Sequence, residues 1–350
     1  MVKKIISLLP AAAFFFIFKG NAFAHEAYVL TRNEFLNGLK VNSPNPLAPL
    51  LDRNYITVSA VITFLVMTSY FLAVLFSTTK LASKLDSLIK RAKVIGPLII
   101  RIAISASFFF AAEINSMFGP ELSLSQIPGG DFIRLLLFVI AFMVLFGTFT
   151  EVAAFMGLVL FVYLSRFYDF YMITYLNYLG ELLVLMFFGS RFMSFDKYFF
   201  GNKLWFRKME KFRDLEVPIV RIFYGIALIF AGWTVKFQHQ ELSVMVYNQY
   251  HLKDFFHASA SFIAAGAGLS EILIGLFIVL GFVMRFTVLI SLVFITLSLI
   301  YFHEMLWPHL MLYGISFSLI INSADKYTLD RYVIPWARGV LKRAFKFIGK

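Results

Sequence analysis

The chain has 350 residues, 60% of them hydrophobic and 15% charged, with mean hydropathy +0.79. Soluble domains hold about 45–50% apolar and about 25% charged residues, so this composition excludes an ordinary soluble fold and points to a polytopic helical membrane protein. The absence of cysteine excludes disulfides, thiolate catalysis and cysteine-ligated iron–sulfur clusters within the chain, which leaves histidine, carboxylates, methionine or the α-amine for any metal.

Residues 1–24 read as a secretory signal peptide. Lys3 and Lys4 form the charged start, Ile5–Phe18 the apolar core and Ala22-Phe23-Ala24 a small-residue cleavage site. An uncleaved first helix is the alternative. Cleavage would make His25 the first residue of an external arm, 25–54, with turns around Asn42–Pro46. The first spanning helix of the mature chain is expected at 55–76, followed by a basic loop. Further helices are expected at 94–117, 132–149, 151–165, 172–188, 217–237, 265–283, 286–302 and 306–321. The tail, 333–350, reads as a basic amphipathic helix on the inner leaflet, with Trp336, Val340, Leu341 and Ala344 on one face.

Threading these nine helices with the mature N-terminus outside puts 20 Lys/Arg in the inner segments and 5 in the outer ones. The positive-inside rule therefore favours an N-out, C-in arrangement. The net charge of +12 then reflects topology and the lipid bilayer, not a nucleic-acid partner.

The chain also repeats itself. Shifted by 134 residues, Gly147 falls on Gly281, Gly180 on Gly314, Asp196 on Asp330 and Tyr198 on Tyr332. Upstream the shift is 120, which sets Arg101 on Arg221; the 14-residue difference is an insertion in the outer loop 238–261. Both copies start on the inner side, so the repeats are parallel. The fold expected is all-α, with one N-terminal helix plus two parallel four-helix modules, at 94–198 and 217–332. Gly225, Gly232 and Lys236 correspond to Ser105, Ala112 and Ser116, and Glu271 to Leu137, so the polar pattern sits in the second copy.

The second copy resembles the DoxX family of small four-helix membrane proteins. The resemblance is carried by Arg221-x3-Gly225-x6-Gly232-x3-Lys236 and by Glu271-x3-Gly275-x5-Gly281-x3-Arg285. The segment Ser323–Asp330 is similar to the family's G-x-G-x-x-S-L-D ending, departing from it at Ser323 and Asp325. The first copy shows the pattern weakly, through Arg101 and Gly189–Asp196. The resemblance implies a prokaryotic membrane protein, with relatives linked to thiosulfate:quinone oxidoreduction, to redox partners or to maturation of periplasmic enzymes. A shared fold does not by itself transfer an activity.

Glu271 lies within an apolar helix, and an intramembrane carboxylate is a functional-site candidate. Lys236 is its expected partner, in preference to Arg221; a structural clasp is the alternative. Together they form the candidate catalytic pair, and Glu113 and Glu181 are lesser candidates of the same kind. Arg221, Trp233, His309 and Tyr313 are candidate quinone contacts, with an aromatic belt as the other reading of Trp233, Trp307 and Tyr313. All six histidines fall on the outer side. His25, His303, Glu304 and His309 form a candidate metal set, and a freed N-terminal His25 would favour copper. No P-loop, G-x-G-x-x-G, nucleophile elbow or zincin motif is present. Three functions follow as expectations. The first is a membrane subunit or accessory factor in quinone-linked redox metabolism, working with a protein partner or as a homo-oligomer. The second is a non-enzymatic scaffold or assembly factor for an envelope metalloprotein. The third is a small-molecule or ion transporter.

Overall fold

The computed structural model describes residues 30–189, 193–200, 207–323 and 326–348, so the expected signal peptide and His25 lie outside the described residues. Ten principal helices organise them. They are α1 Ile56–Ser77, α2 Gly96–Glu113, α3 Gly130–Phe146, α4 Thr150–Tyr168, α5 Leu176–Phe188, α6 Glu216–Ala231, α7 Ala260–Leu280, α8 Met284–Tyr301, α9 Leu306–Ile321 and α10 Asp330–Ile348. Among the described residues, six helical runs are long and apolar enough to cross a membrane. They contain α1, α2, α4 with α5, α6, α7 and α8, and α9 is a shorter apolar helix of 16 residues. A multi-pass helical membrane architecture is therefore established.

Local chemistry sets the helix ends. Pro97 opens α2, where its missing N–H costs nothing. α3 stops at Gly147 and α7 at Gly281, both left-handed with φ near +65°, a conformation glycine adopts without a Cβ clash. The Ser259 side chain caps α7 by accepting from Phe262 N. Between α4 and α5 the chain turns at Asp169 and continues as a 3-10 segment, Asp169–Tyr175, so the helix expected from 172 is regular only from Leu176. The segment expected to be helical to 237 is α-helical to Ala231 and then widens into a π turn, Gly232–Gln238.

Two segments expected as loops are partly helical. Residues Lys80–Lys90, after α1, form a strongly amphipathic helix whose N-cap Thr79 accepts from Ala82 N. The insertion between α6 and α7 carries the helix Gln240–Gln249. α1 keeps most of its surface exposed, as a lipid-facing helix does, and is moored by Tyr70, which packs on Phe277, Phe282 and Phe286 of the second half. α10 reaches the same helix, and its regular course tolerates Pro335.

α2 to α9 close into one ring in chain order. Each helix packs on the next, and α9 packs back on α2. The first helix of each half thus lies against the fourth helix of the other half, and the halves are not two separate four-helix bundles. The reason is steric. A Cβ on Gly180 in α5 would meet Phe223 Cβ at 2.6 Å and Ile219 O at 3.6 Å on α6. A Cβ on Gly314 in α9 would meet Ala103 Cβ at 2.3 Å and Ile99 O at 3.8 Å on α2. These are the same close approach at positions related by 134 and 120 residues, and small residues are what let membrane helices come this near.

At the basic end of the ring, each half carries the same clamp. The buried Arg101 guanidinium donates to Val144 O at 3.0 Å, to Leu145 O at 2.6 Å and to Met193 O at 3.3 Å. The buried Arg221 donates to Ile278 O at 3.4 Å, Val279 O at 2.8 Å and Tyr327 O at 3.2 Å. The last carbonyls of α3 and α7 thereby bind a cation, which Val144 O and Ile278 O share with the N–H groups of Gly147 and Gly281. Asp196 accepts from Phe149 N at 2.7 Å and Thr150 N at 3.0 Å, capping α4; Asp330 accepts from Val283 N at 2.5 Å and Met284 N at 3.0 Å, capping α8. Burial holds the Asp330 carboxyl above its ordinary range, the two backbone donors, Arg221 and Arg285 only partly offsetting it.

Candidate functional site

The opposite end of the ring, which carries the histidines, is where polar groups gather. The π turn starts at Gly232, where a Cβ would stand 2.9 Å from Gly268 O and 3.1 Å from Glu271 Cβ. Gly268 would in turn press on Lys236 Cβ at 2.9 Å. The two glycines let α6 and α7 touch, and the extra residue in the π turn rotates Lys236 inward; such turns mark functional positions often enough to be noted. Lys236 Nζ lies 3.0 Å from Glu271 Oε1. Lys236 is buried and Glu271 half-buried, and the second Glu271 oxygen has no hydrogen-bond partner. The pairing expected from spacing is thus present in space.

Lys236 also lines a cavity of about 70 Å³, enclosed by Tyr171, Tyr175, Asn177, Tyr178 and Tyr224. Tyr171, Tyr175 and Tyr178 occupy one face around the start of α5. The buried Glu121, in the loop between α2 and α3, accepts from Tyr175 Oη and, at 3.0 Å, from Tyr171 Oη. Tyr178 Oη shares a 2.5 Å hydrogen bond with Ser107 Oγ, and Tyr224 Oη a 2.9 Å one with Ser291 Oγ. Sequence reading missed this cluster, although the spacing Tyr171-x3-Tyr175-x2-Tyr178 was a visible one-face signal.

A cap packs beside the cavity, against its wall residues Tyr171 and Val235. The arm helix Arg32–Gly38, whose N-cap Thr31 and Glu34 form a capping box, packs Leu30 and Phe35 on Val235, Leu242 and Val246. Phe35 meets Tyr171 edge to face at 5.6 Å. His239 Nδ1 lies 2.9 Å from Val41 O, and Ser43 N donates to Gln238 O at 2.7 Å. The 14-residue insertion is therefore the seat of the N-terminal arm, and His239 is a structural part of it.

The other expected site residues are dispersed. Arg221 is held in its carbonyl clamp, and the fifteen residues to Lys236 span roughly 22 Å of helix. Trp233 is 51% exposed, as a belt residue is, and packs on Phe237. Tyr313 Oη pairs with Thr296 Oγ1 at 2.9 Å. Arg221, Trp233, His309 and Tyr313 therefore do not converge on one pocket. The geometric reason is that Arg221 serves the basic end while Trp233 points outward.

Glu304 and His309 are both buried and lie 2.5 Å apart, Oε2 to Nε2, with His309 Nδ1 2.8 Å from Met305 O and Ser298 Oγ donating to Glu304 Oε1. Burial and the Glu304 charge push the Tyr250 hydroxyl up. His303 stands apart from this pair, exposed, at φ +53°. His251 and His257 have φ of +51° and +47°. All three sit just past a helix end, in the left-handed region in which histidine is enriched among non-glycine residues. Among the described residues no three His, Asp or Glu side chains gather as a metal set needs.

Residues 217–304 match the DoxX family model. The match runs through α6, α7 and α8 and ends at Glu304, so it takes in the Lys236–Glu271 pair and the Arg221 clamp. The DoxX segment is less than half of the chain. No curated protein and no solved structure matches the chain.

Proposed function

We propose that this protein is a membrane subunit or accessory factor of quinone-linked redox metabolism in a prokaryotic plasma membrane. In this reading the headgroup of a quinone enters the tyrosine-walled cavity, Lys236 faces its oxygen, and Glu271 exchanges a proton with it. The observation that carries the reading is that Lys236 lines the cavity and is paired with an intramembrane carboxylate. Reduction of a quinone takes two electrons and two protons. Without cysteine the chain has no thiolate-held cluster, so a protein partner supplies the electrons. At about 70 Å³ the cavity has room for water but not for a ring, so entry requires the cap to lift. The test is lipid extraction from the full chain purified out of its own membranes. Bound quinone is expected, and Lys236→Met should lose it; wild-type protein without quinone, and without quinone-dependent electron transfer beside its partners, sinks the proposal.

The same proposal includes a cleaved signal peptide at 1–24, a mature N-terminus outside and a cytoplasmic C-terminus, supported by the distribution of Lys and Arg. It also includes descent of 94–198 and 217–332 from one duplicated DoxX-like unit, supported by the twin clamps. An intact mass beginning at His25, and cysteine-labelling of the two ends in intact cells, decide the first part.

A second reading is a scaffold for an external metalloprotein, in which the cap is the contact surface. The insertion that builds the cap favours it. Deleting 240–257 should abolish every protein contact on that side; unchanged co-purification of partners removes this reading. Transport is the third, and the unequal polar content of the halves speaks against a shared central site. Counterflow in liposomes decides it.

A further inference from the structure

Glu181, in α5, is completely buried, and among the described residues neither carboxyl oxygen has a hydrogen-bond partner. Burying a polar group without a partner costs free energy, so its retention calls for a reason. Packing is not that reason. The residue 134 positions on, at the matching place in α9, is Ile315, also buried at 1% exposure. The fold accepts a hydrocarbon there.

Glu181 has protonatable neighbours toward both ends of the ring. Toward the capped end, Tyr178 is three residues away, about 4.5 Å along the helix, and Asn177 is one turn away; both line the cavity. Above them, Tyr171 and Tyr175 donate to Glu121 in the external loop. Toward the basic end, the half-buried Glu216 at the start of α6 interacts electrostatically with Glu181. The remaining ionisable groups on the helices packed against α5 are placed differently. Glu151 and Arg166 lie near the two ends of α4, Tyr163 and Tyr168 in its last turns, and Arg221 is engaged by carbonyls; Tyr224 of α6 pairs with Ser291, and on α9 His309 pairs with Glu304 and Tyr313 with Thr296.

We propose that Glu181 is the central relay of a proton path that crosses the membrane along α5, from Glu121 under the cap, through the tyrosine-lined cavity, to Glu216 at the basic end. The cavity has room for water, and Tyr171, Tyr175, Asn177, Tyr178 and Lys236 on its otherwise apolar wall give that water hydrogen-bond partners. A proton passes from the Glu121 carboxyl along water in the cavity to a Glu181 carboxylate oxygen, then to the Glu216 carboxylate and out to bulk water at the basic end, while Glu121 regains one from bulk water at the capped end. Only O–H bonds form and break, and no electron moves. Intramembrane carboxylates in series with other protonatable groups are the usual material of such relays. The path needs no quinone and is separate from the Lys236–Glu271 reading.

The test is proton flux into quinone-free phosphatidylcholine–phosphatidylglycerol vesicles holding the full chain and an internal pH dye, with the potential clamped by valinomycin. Wild type should conduct above protein-free vesicles. Glu181→Gln and Glu181→Ile should fall to the protein-free level, and Glu216→Gln should be slower than wild type. Glu181→Ile copies the other half of the molecule, so it should fold, which circular dichroism and gel filtration check. It should also remove a deuterium-sensitive carboxylic-acid C=O band from the infrared spectrum. Wild-type flux at the protein-free level, or wild-type flux retained in Glu181→Ile, overturns the path. Neither result bears on quinone extraction, so the two proposals fail separately.

Discussion

The two halves of the ring agree at one end and part company at the other. At the basic end, Arg101 and Arg221 grip the final carbonyls of α3 and α7, and Asp196 and Asp330 cap α4 and α8, residue for residue. At the capped end, the first half presents Glu121 with tyrosines and a lone Glu181, while the second presents a π turn, a Lys–Glu pair and an inserted cap. The agreement marks what any copy of this unit needs in order to fold. The divergence marks what each copy is free to use.

The largest expected effect comes from breaking the shared part. Arg221→Met and Arg101→Met each strand buried carbonyls, at about 1–3 kcal/mol apiece, so each should cost about 3 kcal/mol or more. Thermal unfolding in detergent measures this, and a large loss in one half with none in the other would break the equivalence. Next comes the divergent pair. Lys236→Met alone should destabilise by about 3 kcal/mol by leaving Glu271 uncompensated, whereas Lys236→Met with Glu271→Leu should recover most of that loss. A double-mutant cycle in chemical denaturation reads the difference.

The helix crossing sharpens the comparison further. A Cβ at Gly225 would meet Gly275 O at 2.6 Å, while at the matching crossing Ser105 Oγ donates to Ala141 O at 2.7 Å. Gly225→Ala should therefore cost about 1–3 kcal/mol by overpacking, and Ser105→Ala about 1 kcal/mol by losing a bond.

The smallest effect belongs to the exposed pair Asp214–Lys326, at 2.7 Å, on the basic end. Lys326 holds the Asp214 carboxyl below its usual range, so that contribution is present above the ordinary carboxylate pKa and fades as pH falls through the lowered value. Asp214 holds Lys326 above its usual range, so its share is present below the ordinary lysine pKa and fades as pH rises through the raised one. The melting difference between wild type and Asp214→Asn should be small at neutral pH and vanish in acid and in high salt.

Much of the helical layout was legible because apolar runs of membrane length have few alternatives. The Lys236–Glu271 pair was legible too, since 4- and 7-residue spacings place Arg221, Gly225, Gly232 and Lys236 on one stripe, with a carboxylate on the next helix. The closure of the two halves into one ring was not. Gly180 and Gly314 announce close contacts, but nothing in a single chain says with which helix. The π turn was hidden because α and π segments share composition. The histidines misled: His239, His251, His257 and His303 gather at one end as turn and cap residues, where backbone geometry accounts for them. Glu304 and His309 were singled out as ligands and stand as a closed pair.

The circuit of helices also sets an order of assembly. α2 is among the first to leave the ribosome, yet one of its two flanks waits for α9, the last helix of the ring to be made. Until then the bilayer, or an insertion factor, must shield that flank. A truncation anywhere before α9 should leave both halves open together, so a late nonsense codon is as damaging to the start of this protein as to its end.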